Sequence, residues 1–353
     1  MLAKGRGGVE SMAVRYHEAL RAEGYDTLSV GHPEGVMASE LDAAEFSPLA
    51  TTISHDPVAA WKLWRQVQAF KPDLILMHGN RATGLCLLPF VNGRAKTVQV
   101  LHNQCYKRHI KRVSASLCVS ANVSDGLGAA YPQVPRIEVA NFAHLESHPV
   151  KTAPDRRPVI GAMGRLHEIK RFDLLLKSAA ILRNQGHDFL LRIAGDGPER
   201  ENLQRLIEAE DLSGCVELCG WVSDPHGFMA ELDLFVVSSR YEAFGLVVIE
   251  AMAAGVPVVS ADIEGPREIL RQGSLGTLFE SENEGSLAEA VGAVFADWKG
   301  RLRMARLAQH HALKTFGFEA GRQRLSQALE TIRHRSGRGR AAAVPVFAPI
   351  AAE

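Results

Sequence analysis

The chain has 353 residues, which is long enough for two hydrophobic cores and favours two domains over one large domain. Hydrophobic residues make up 46% of it and charged residues 23%, as in ordinary soluble globular proteins. Lysine plus arginine equals aspartate plus glutamate, 40 against 40, so the net charge points to no nucleic-acid partner and we expect none.

The cysteines and the absence of targeting signals bear on the compartment. Five cysteines, an odd number with no C-x-x-C pair, are typical of a reducing compartment and not of a disulfide framework. The sequence shows no signal peptide and no apolar run long enough to span a bilayer. We therefore expect a cytoplasmic protein, either free or in peripheral contact with the cytoplasmic face of the inner membrane.

The first half begins with a glycine-rich turn. Gly5, Gly7 and Gly8 open a predicted helix, Gly8–Glu23, whose apolar residues form one stripe. Such a turn normally follows the first strand of a doubly wound sheet, but only Met1–Lys4 precede it, so we expect that strand to be missing or unusually short. The strands predicted in this half are Asp73–His78, Thr97–His102, Leu117–Ser120 and Arg136–Ala140.

The second half follows a polar stretch, Ser147–Pro158, which has three prolines and contains the predicted linker, residues 148–157. Its predicted strands are Pro158–Met163, Phe189–Ala194, Cys215–Cys219, Leu234–Ser238 and Val256–Ser260. Its predicted helices are Arg171–Asn184, Ser286–Leu313 and Glu319–His334. Strands that alternate with helices predict βαβ units and parallel sheets. The last residues, 336–353, mix Arg, Gly, Ala and Pro without a period and are predicted to be a disordered tail.

The stretch SSRYEAFGLVVIEAMAAGVPVV, residues 238–259, predicts a ligand site. It is typical of a strand end, a turn and an apolar helix that begins at Phe244 or Gly245. Ligands bind at the carboxyl ends of parallel strands. The first helical turn presents the backbone N–H groups of Phe244, Gly245 and Leu246, and these donors together with the helix dipole favour phosphate.

Glu250 stands in the middle of that apolar helix, and a second acid, Glu242, lies eight residues upstream. An ionised carboxylate in such surroundings is costly unless it has hydrogen-bond donors, which the two hydroxyls of a ribose would supply. The alternative is a glutamate on a solvent-facing edge, or one paired with an arginine such as Arg267.

Arg165 and Lys170 lie in a second strand–loop–helix segment, Gly161–Leu176. Two cations at the carboxyl end of a strand suit a diphosphate, arginine through its bidentate fork and lysine as a point charge. The alternative is a pair of solvated surface cations, which is the commoner position of both residue types.

In chain order, the motifs resemble the retaining sugar-nucleotide glycosyltransferases of the GT-B fold, the group 1 or family 4-like class that includes bacterial mannosyl-, glucosyl- and lipopolysaccharide-core transferases. The motifs are GRGGVE, VLHNQ, VANF, GRLHEIKR, IAGDGPE, ELCGWV and SSRYEAFGLVVIEAMAAGVPVVSADIEGPREI. Glu242 and Glu250 match the E-x7-E element of that family. Ala243 departs from the pattern, since many relatives have glycine or proline there.

The resemblance implies an α/β fold of two Rossmann-like, doubly wound parallel-sheet domains that face a cleft. Residues 1–147 would form the acceptor-side domain, and residues 158–315 the nucleotide-sugar-binding domain. The helix within residues 316–335 is expected to cross back and pack on the amino-terminal domain.

The resemblance also implies roles for individual residues of the carboxyl-terminal half. Glu250 is implied to bind the ribose hydroxyls of the donor, and Glu242 to lie against the transferred sugar. Arg165 and Lys170 are implied to neutralise the diphosphate leaving group, together with the amides of residues 244–246.

In the amino-terminal half, His102 matches the histidine that the family places beside the donor sugar. Without that resemblance, a packed histidine at a strand end would be preferred. Gly7 and Gly8 match the glycine turn that faces the donor phosphates.

The implied activity is retaining transfer of a hexose-type sugar from a nucleotide-diphosphate sugar to a hydroxyl of a glycan or lipid-linked acceptor, as in lipopolysaccharide or cell-envelope polysaccharide synthesis. No metal or other cofactor is expected, since cations and helix N–H groups stand where charge develops on the leaving oxygen. Front-face attack by the acceptor hydroxyl, with the departing phosphate as base, would give retention.

Two alternatives share the fold or the motifs: a UDP-sugar 2-epimerase and a non-catalytic sugar-nucleotide-binding protein. An NAD-dependent oxidoreductase and a P-loop enzyme are disfavoured, because no G-x-G-x-x-G follows a predicted strand and the sequence has no G-K pair.

The loop after His102 leaves two interpretations open. His102, Cys105 and His109 are spaced like metal ligands, but no fourth ligand is evident and a place for His102 near the sugar is preferred. The basic segment Tyr106–Arg112, YKRHIKR, either meets a phosphorylated or lipid-linked acceptor at a membrane surface or is a solvated basic surface.

Overall fold

The computed structural model describes residues 1–5, 7–151 and 157–334. They form two compact units. The first unit contains Met1–Phe142 and Phe318–His334, and the second unit contains Ala143–Gly317. The predicted tail, residues 336–353, lies outside the described residues, as do residues 152–156 of the predicted linker.

The first unit has two separate parallel sheets. Its strands are β1 Ser29–Gly31, β2 Phe46–Pro48, β3 Leu74–His78, β4 Lys96–Leu101, β5 Ala115–Cys118 and β6 Arg136–Glu138. Strands β1 and β2 pair with each other, whereas β3 to β6 form a four-stranded sheet in chain order. The helices are α1 Gly8–Ala22, α2 Val36–Glu40, α3 Pro57–Phe70, α4 Asn80–Cys86 and α5 Ala121–Ala130, with a 3-10 helix at Arg108–Arg112.

The second unit has one six-stranded parallel sheet. Its strands are β7 Val159–Met163, β8 Leu190–Ala194, β9 Val216–Gly220, β10 Leu234–Val237, β11 Val258–Ala261 and β12 Thr277–Phe279. Their order across the sheet is β12-β11-β10-β7-β8-β9. The helices are α6 Phe172–Asn184, α7 Arg200–Ala209, α8 Pro225–Glu231, α9 Leu246–Ala253, α10 Glu264–Ile269, α11 Glu284–Ala296 and α12 Trp298–Phe316, with a 3-10 helix at Glu168–Lys170.

The order of the second sheet creates a topological switch point between β7 and β10. From β7 the chain adds β8 and β9 on one side, and from β10 it adds β11 and β12 on the other. The strands are parallel, so the loops that follow β7 and β10 leave the sheet at the same edge and diverge. In open α/β sheets this is the place where ligands bind.

The last described helix, α13 Phe318–His334, belongs to the first unit. Arg322 of α13 forms an ion pair with Glu23, which follows α1. The hydroxyl of Tyr25 donates to the Glu330 carboxylate at 3.0 Å. A side chain at Gly321 would overlap the ring of Phe142, so this glycine permits close packing of α13 on the unit.

The prediction of a single helix at Ser286–Leu313 is wrong, because two helices, α11 and α12, occupy this segment. Asp297 separates them with a non-helical backbone, φ −131° and ψ 60°. Its carboxylate accepts a hydrogen bond from the Gly300 backbone N–H at 3.0 Å, so the residue acts as the N-cap of α12.

The residues before α1 form no strand in the part of the chain that the structure describes. Met1 and Leu2 instead lie beside β1, where the Met1 nitrogen donates to the Val30 carbonyl oxygen at 2.8 Å. Leu2 is buried, and its carbonyl oxygen accepts from Arg81 at 3.0 Å. Residues 1–5 therefore belong to no strand, although Met1 bonds to β1.

Candidate functional site

The loop after β7 positions Lys170 at the switch point. The 3-10 helix at Glu168–Lys170 is followed by Arg171, whose φ of +51° ends it. The Ser238 hydroxyl, at the end of β10, donates to the Lys170 carbonyl oxygen at 2.8 Å. This bond ties the two loops of the switch point together.

Lys170 and Glu242 meet across the switch point. The Lys170 ammonium forms an ion pair with a Glu242 carboxylate oxygen, and the side chains are 22% and 16% exposed. The Ser239 hydroxyl donates to the same oxygen at 3.1 Å. An ammonium has three donors, so one ion pair leaves Lys170 with capacity for further oxygen acceptors. The two residues are 72 positions apart in sequence, and strand order alone brings them together.

Arg165 lies two residues beyond β7, on the same loop as Lys170. Its side chain is exposed and has no ion-pair partner among the described residues. The next residue, Leu166, is buried, and its N–H donates to the Asp196 carbonyl oxygen at 3.0 Å. Gly195 has φ +138°, and a side chain there would overlap the Gly164 carbonyl oxygen. The turn after β8 thus packs directly on the turn that presents Arg165.

Helix α9 begins at Leu246, one or two residues later than predicted. Gly245 precedes it with φ +112°, a left-handed conformation that favours glycine. Phe244 is buried, with its ring edge-on to Phe316 at a centroid distance of 5.6 Å. The first turn of a helix has N–H groups without intrahelical partners, so the start of α9 offers donors beside Glu242.

Glu250 is the fifth residue of α9 and is half-buried. Its neighbours Ile249 and Ala251 are fully buried, which places the carboxylate at the edge of an apolar face. Arg267, the alternative partner considered from the sequence, forms an ion pair with Asp262, with 2.5 Å between Nε and Oδ1.

In the first unit, His102 directly follows β4 and is half-buried. Its Nε2 lies 3.0 Å from Nδ1 of His78, the last residue of β3, and the rings stack with centroids 5.2 Å apart. The other side of His78 meets the Tyr16 ring edge-on at 5.0 Å. One imidazole must donate and the other accept, so each fixes the tautomer of its partner.

Burial decides the charge of this histidine pair. It lowers the pKa of His102 to about 4. It lowers the pKa of His78 well below its ordinary value, and the nearby His102 acts in the same direction. Both rings are therefore neutral near pH 7, so His102 can offer a hydrogen bond but not a full positive charge.

His78 was missed in the sequence analysis. It ends one strand and His102 follows the next, and these strands pair in parallel so that His78 lies opposite Val100. The carboxyl ends of adjacent parallel strands meet at one edge, so two histidines at consecutive strand ends were the available signal.

Gly7 and Gly8 lie at the start of α1, in the first unit. Gly7 is extended, with φ −161°, and its carbonyl oxygen accepts from the Ser11 N–H at 3.0 Å. Both glycines are exposed, so the first turn of α1 is open to solvent. The structure thus places Gly7, Gly8 and His102 in one unit and the other predicted site residues in the second.

Among residues 1–5, 7–151 and 157–334, no group of three or more His, Cys, Asp or Glu side chains is arranged to hold a metal ion. The set His102, Cys105 and His109 is included in that range. No helix in the described part of the chain is both long enough and apolar enough to cross a membrane.

Comparison with sequence families gives two matches that follow the two halves of the chain. The family described as Glycosyltransferase Family 4 matches residues 6–141. The family described as Glycosyl transferases group 1 matches residues 145–311. The second match contains both loops of the switch point and helix α9.

Individual proteins resemble the chain over nearly its whole length. The lipopolysaccharide core biosynthesis glycosyltransferase LpsE of Rhizobium meliloti (strain 1021) is 28% identical over 334 residues, covering 89% of this chain and 93% of that protein. The structure of HepE from Anabaena in complex with UDP-glucose is similar, with TM-score 0.80, 19% identity and coverage of 94% and 98%. The lipopolysaccharide outer core galactosyltransferase WaaB in its apo form gives TM-score 0.74, 18% identity and coverage of 94% and 97%.

Proposed function

Because the chain belongs to the group 1 glycosyltransferases, we propose that it transfers a hexose from a nucleotide-diphosphate sugar to a hydroxyl of a glycan or lipid-linked acceptor. We assign the reaction to synthesis of lipopolysaccharide or another cell-envelope polysaccharide. The description of the R. meliloti relative supports that pathway class. The UDP-glucose in the HepE structure supports a nucleotide-sugar donor.

The observation that carries the proposal is the ion pair of Lys170 and Glu242 at the switch point, beside the start of α9. A cation, an acid and a row of helix N–H groups stand within one crevice of an open parallel sheet. A sugar diphosphate needs this combination, since its phosphates take the cation and amides and its sugar hydroxyls donate to the acid.

The diphosphate would bind Lys170, the exposed Arg165 and the N–H groups at the start of α9. Breaking the bond between the anomeric carbon and the diphosphate oxygen leaves negative charge on that oxygen. Preplaced cations and N–H groups stabilise the charge as it develops, and they need no reorganisation at that moment. In this proposal they take the part that a metal ion plays in other transferases.

Glu250 and Glu242 would bind the two hydroxyl-bearing parts of the donor. Glu250 lies one turn along α9 from the phosphate-binding end, about 6 Å at 1.5 Å per residue, which matches a ribose next to a diphosphate. Glu242, paired with Lys170, would accept from hydroxyls of the transferred sugar and thereby orient it.

The proposed reaction retains the configuration of the transferred sugar. The acceptor hydroxyl oxygen bonds to the anomeric carbon on the face from which the diphosphate leaves. Its proton passes to the departing phosphate oxygen. No covalent intermediate on the enzyme is invoked, so the residues of the site act by positioning and by electrostatic stabilisation.

A panel of UDP-, GDP- and ADP-sugars tests the function. At about 100 times its Kd, the true donor stabilises the folded state by about 2.7 kcal/mol, which a melting experiment detects. We expect slow hydrolysis or transfer of that same donor, retention of the anomeric configuration by NMR, and no loss of activity in EDTA. A donor converted to its 2-epimer would instead identify an epimerase, and binding without turnover a binding module.

A surface of the first unit suits peripheral contact with a membrane. Helix α3 and the loop before it expose Ile53 (58%), Val58 (61%) and Trp61 (50%). The guanidinium of Arg65 lies 5.0 Å from the centre of the Trp61 ring, and Lys62 is exposed beside it. Apolar residues flanked by cations are typical of helices that lie in the headgroup region of anionic bilayers.

The basic segment Tyr106–Arg112 belongs to the same unit as this surface. Burial lowers the pKa of His109, and the nearby His55, in the loop that carries Ile53, acts in the same direction. Lys107, Arg108 and Lys111 are exposed. We propose that this combined surface binds anionic lipid, where a lipid-linked acceptor would be met.

Vesicle co-sedimentation tests the membrane contact. We expect binding to vesicles that contain phosphatidylserine or cardiolipin, weaker binding to pure phosphatidylcholine, and loss of binding in Trp61→Ser. Trp221→Ser is the matched control, because Trp221 is 63% exposed but lies in the second unit. Equal binding by both variants would contradict the assignment.

A further inference from the structure

Two residues beside the switch point have a left-handed backbone conformation although neither is a glycine. Arg171 follows Lys170 and has φ +51° and ψ +41°. Glu282 is the third residue after β12 and has φ +65°. Side chains are uncommon at such φ values, and residues held there cluster at functional sites. The contacts of these two side chains therefore bear on the function of the switch point.

The two side chains form an ion pair with each other. The Arg171 guanidinium contacts a carboxylate oxygen of Glu282, and the side chains are 16% and 39% exposed. The guanidinium of Arg240 donates to the same Glu282 oxygen at 3.0 Å. Glu282 therefore bridges two guanidinium groups, one from the loop after β7 and one from the loop after β10.

The bridge joins loops from strands that are not neighbours. In the sheet, β12 lies three positions from β7, with β11 and β10 between them. Adjacent strands are about 4.8 Å apart, so the ends of β12 and β7 are roughly 14 Å apart. Long side chains such as those of Arg171 and Glu282 are suited to that separation. The loop after β12 is thereby tied to the loop that carries Lys170.

The backbone of Arg240 also ties the loop after β10 to the loop after β7. Its N–H donates to the Ile169 carbonyl oxygen at 2.8 Å. Ile169 directly precedes Lys170, and Arg240 stands two residues before Glu242. The bridging residues are thus next to the two members of the ion pair in the candidate site.

The bridge needs a carboxylate because it joins two cations. Arg171 has a second acidic partner, Asp173, whose oxygens accept from Nε and Nη2 at 3.1 and 3.3 Å. Arg240 forms an ion pair with Glu282 alone among the residues that the structure describes. Without Glu282, the two guanidinium groups would lose their shared acid and would repel each other. Removal of this carboxylate should therefore loosen both loops.

We propose that Glu282 is a positioning residue of the transferase reaction, because its bridge fixes the distance between Lys170 and Glu242. This inference rests on the proposed function. Glu282 touches neither donor nor acceptor and acts through Lys170, whose ammonium has to meet the oxygen on which charge develops. A small displacement of such a group lowers the rate, since a preplaced charge stabilises the transition state only in one geometry.

Glu282→Gly separates the role of the side chain from that of the backbone. Glycine adopts φ +65° without strain, which offsets the lost ion pair, so calorimetry should show a Tm within about 3 °C of the parent. Hydrogen–deuterium exchange without any ligand should become about tenfold faster in residues 165–171 and 239–245. Glu282→Gln keeps the length and one acceptor oxygen at the same φ, so its exchange should change less.

Kinetics with the UDP-, GDP- or ADP-sugar that the parent turns over measure the effect on the reaction. In Glu282→Gly we expect kcat to fall about tenfold and the KM for the sugar nucleotide to change less than about threefold, because Glu250 and the start of α9 still bind it. Glu282→Gln should restore part of the rate. A role in stability alone would lower the Tm without this split between kcat and KM.

Asp211→Gly is the matched control. Asp211 is also an acid with a positive φ, +53°, and it pairs with Arg183 at 2.9 Å. It lies before β9, so it stands at the opposite edge of the same sheet. This variant should leave kcat and the exchange of both loops unchanged. Equal effects of Asp211→Gly and Glu282→Gly would overturn the proposal, as would parental kcat and exchange in Glu282→Gly.

Arg240→Gln tests whether the bridge acts as a unit. The double variant Arg240→Gln/Glu282→Gly should have a kcat no lower than that of Glu282→Gly, because both changes break the same contact. Losses that multiply would show that Arg240 and Glu282 act separately and would contradict the bridge. Faster exchange in Glu282→Gly with an inactive parent would refute the proposed function but not the bridge. Unchanged exchange with an active parent would refute the bridge but not the function.

Discussion

The two units hold their candidate site residues on sheets that are built differently. In the second unit, β7 and β10 are neighbours inside an unbroken six-stranded sheet, and the bond from Ser238 to Lys170 joins their loops. In the first unit, His78 is the last residue of β3 and His102 directly follows β4, and the four-stranded sheet ends at β3. Strand order suffices to assemble the charged site, whereas the histidine pair lies at the edge of an interrupted sheet.

The two sites also differ in charge. The pair of Lys170 and Glu242 is ionic and partly exposed, so it can exchange its partners for a charged ligand. The pair of His78 and His102 is kept neutral by burial. We infer that the second unit stabilises the charge of the leaving group, while the first unit contributes neutral hydrogen bonding.

The largest effect is expected for Lys170→Ala, which should lower kcat/KM about 10²- to 10³-fold, the usual result of removing one preplaced donor from a developing oxyanion. Glu242 loses its ion-pair partner, but a side chain that is 16% exposed can be solvated, so circular dichroism should show a folded protein. Steady-state kinetics with the identified donor measures the change.

Lys177→Ala is the control for that variant, because Lys177 is an exposed cation on α6 of the same unit. It should leave kcat/KM unchanged. Full activity of Lys170→Ala would refute the site at the switch point, while equal losses in both variants would indicate a general effect of charge.

The next effect concerns the stability of the first unit between pH 6 and 8. The Met1 amino group has a pKa of about 6 in the folded protein against 8.0 ordinarily, so the unfolded state binds more protons in this interval. The free energy of unfolding should therefore rise with pH, by roughly 2.7 kcal/mol in total if the group is fully buried.

Denaturant unfolding at a series of pH values checks this rise. Two titratable groups lie near the Met1 amino group. Burial raises the pKa of the Cys86 thiol to about 11, and the pKa of His78 is lowered. His78 and His102 change the free energy of unfolding only at lower pH, between their lowered pKa values in the folded protein and the ordinary value of 6.5. Acetylation of the Met1 nitrogen removes the ammonium, so the rise between pH 6 and 8 should disappear. Persistence of the rise after acetylation would exclude Met1 as its cause.

In the second unit, the effect of removing the Glu250 carboxylate should fall on donor binding. Glu250→Ala should raise the KM for the donor about 10- to 100-fold, because two hydrogen bonds from ribose hydroxyls to a carboxylate are lost. Glu250→Gln keeps the shape and some acceptor capacity, so its loss should be smaller. Glu208→Ala, on the exposed face of α7, is the control. Initial rates measure the KM, and an unchanged value in Glu250→Ala would show that Glu250 does not bind the ribose.

Much of the fold could be predicted from the sequence. The nine predicted strands correspond to β3 to β11 within two residues at each end, because runs of apolar, β-branched residues bounded by turns are a local signal. Strands β1, β2 and β12 have three residues each and were missed. Strand β6 is equally short, but it was predicted because it lies within the longer run Arg136–Ala140. The division at Asp297 was missed because the apolar period continues across it.

The site was predictable only in part. The glutamates of the E-x7-E element and the cations of the loop after β7 were named from local motifs. The contact of Lys170 with Glu242 depends on β7 lying next to β10, a consequence of strand order that no local pattern encodes. The contact of His78 with His102 depends in the same way on the pairing of β3 with β4.

The smallest effect is expected for His78, which we treat as a positioning residue because it acts through His102. His78→Leu should lower kcat about tenfold, the equivalent of one lost hydrogen bond of roughly 1.4 kcal/mol, and leave the KM for the donor nearly unchanged. His78→Asn can place an amide near the position of Nδ1 and should restore most of the rate. ¹⁵N NMR should show one tautomer of His102 in the parent protein and a mixture in His78→Leu.

His310→Leu, at an exposed position on α12 in the second unit, is the control for His78→Leu and should match the parent protein in kcat and in the His102 spectrum. A role in packing alone would lower the Tm in both His78 variants without restoring the rate in His78→Asn. If His78→Leu is as active as the parent while Lys170→Ala is inactive, catalysis does not use the histidine pair. The assignment of neutral hydrogen bonding to the first unit would then be wrong. Only the charged site of the second unit would remain as a contributor to catalysis.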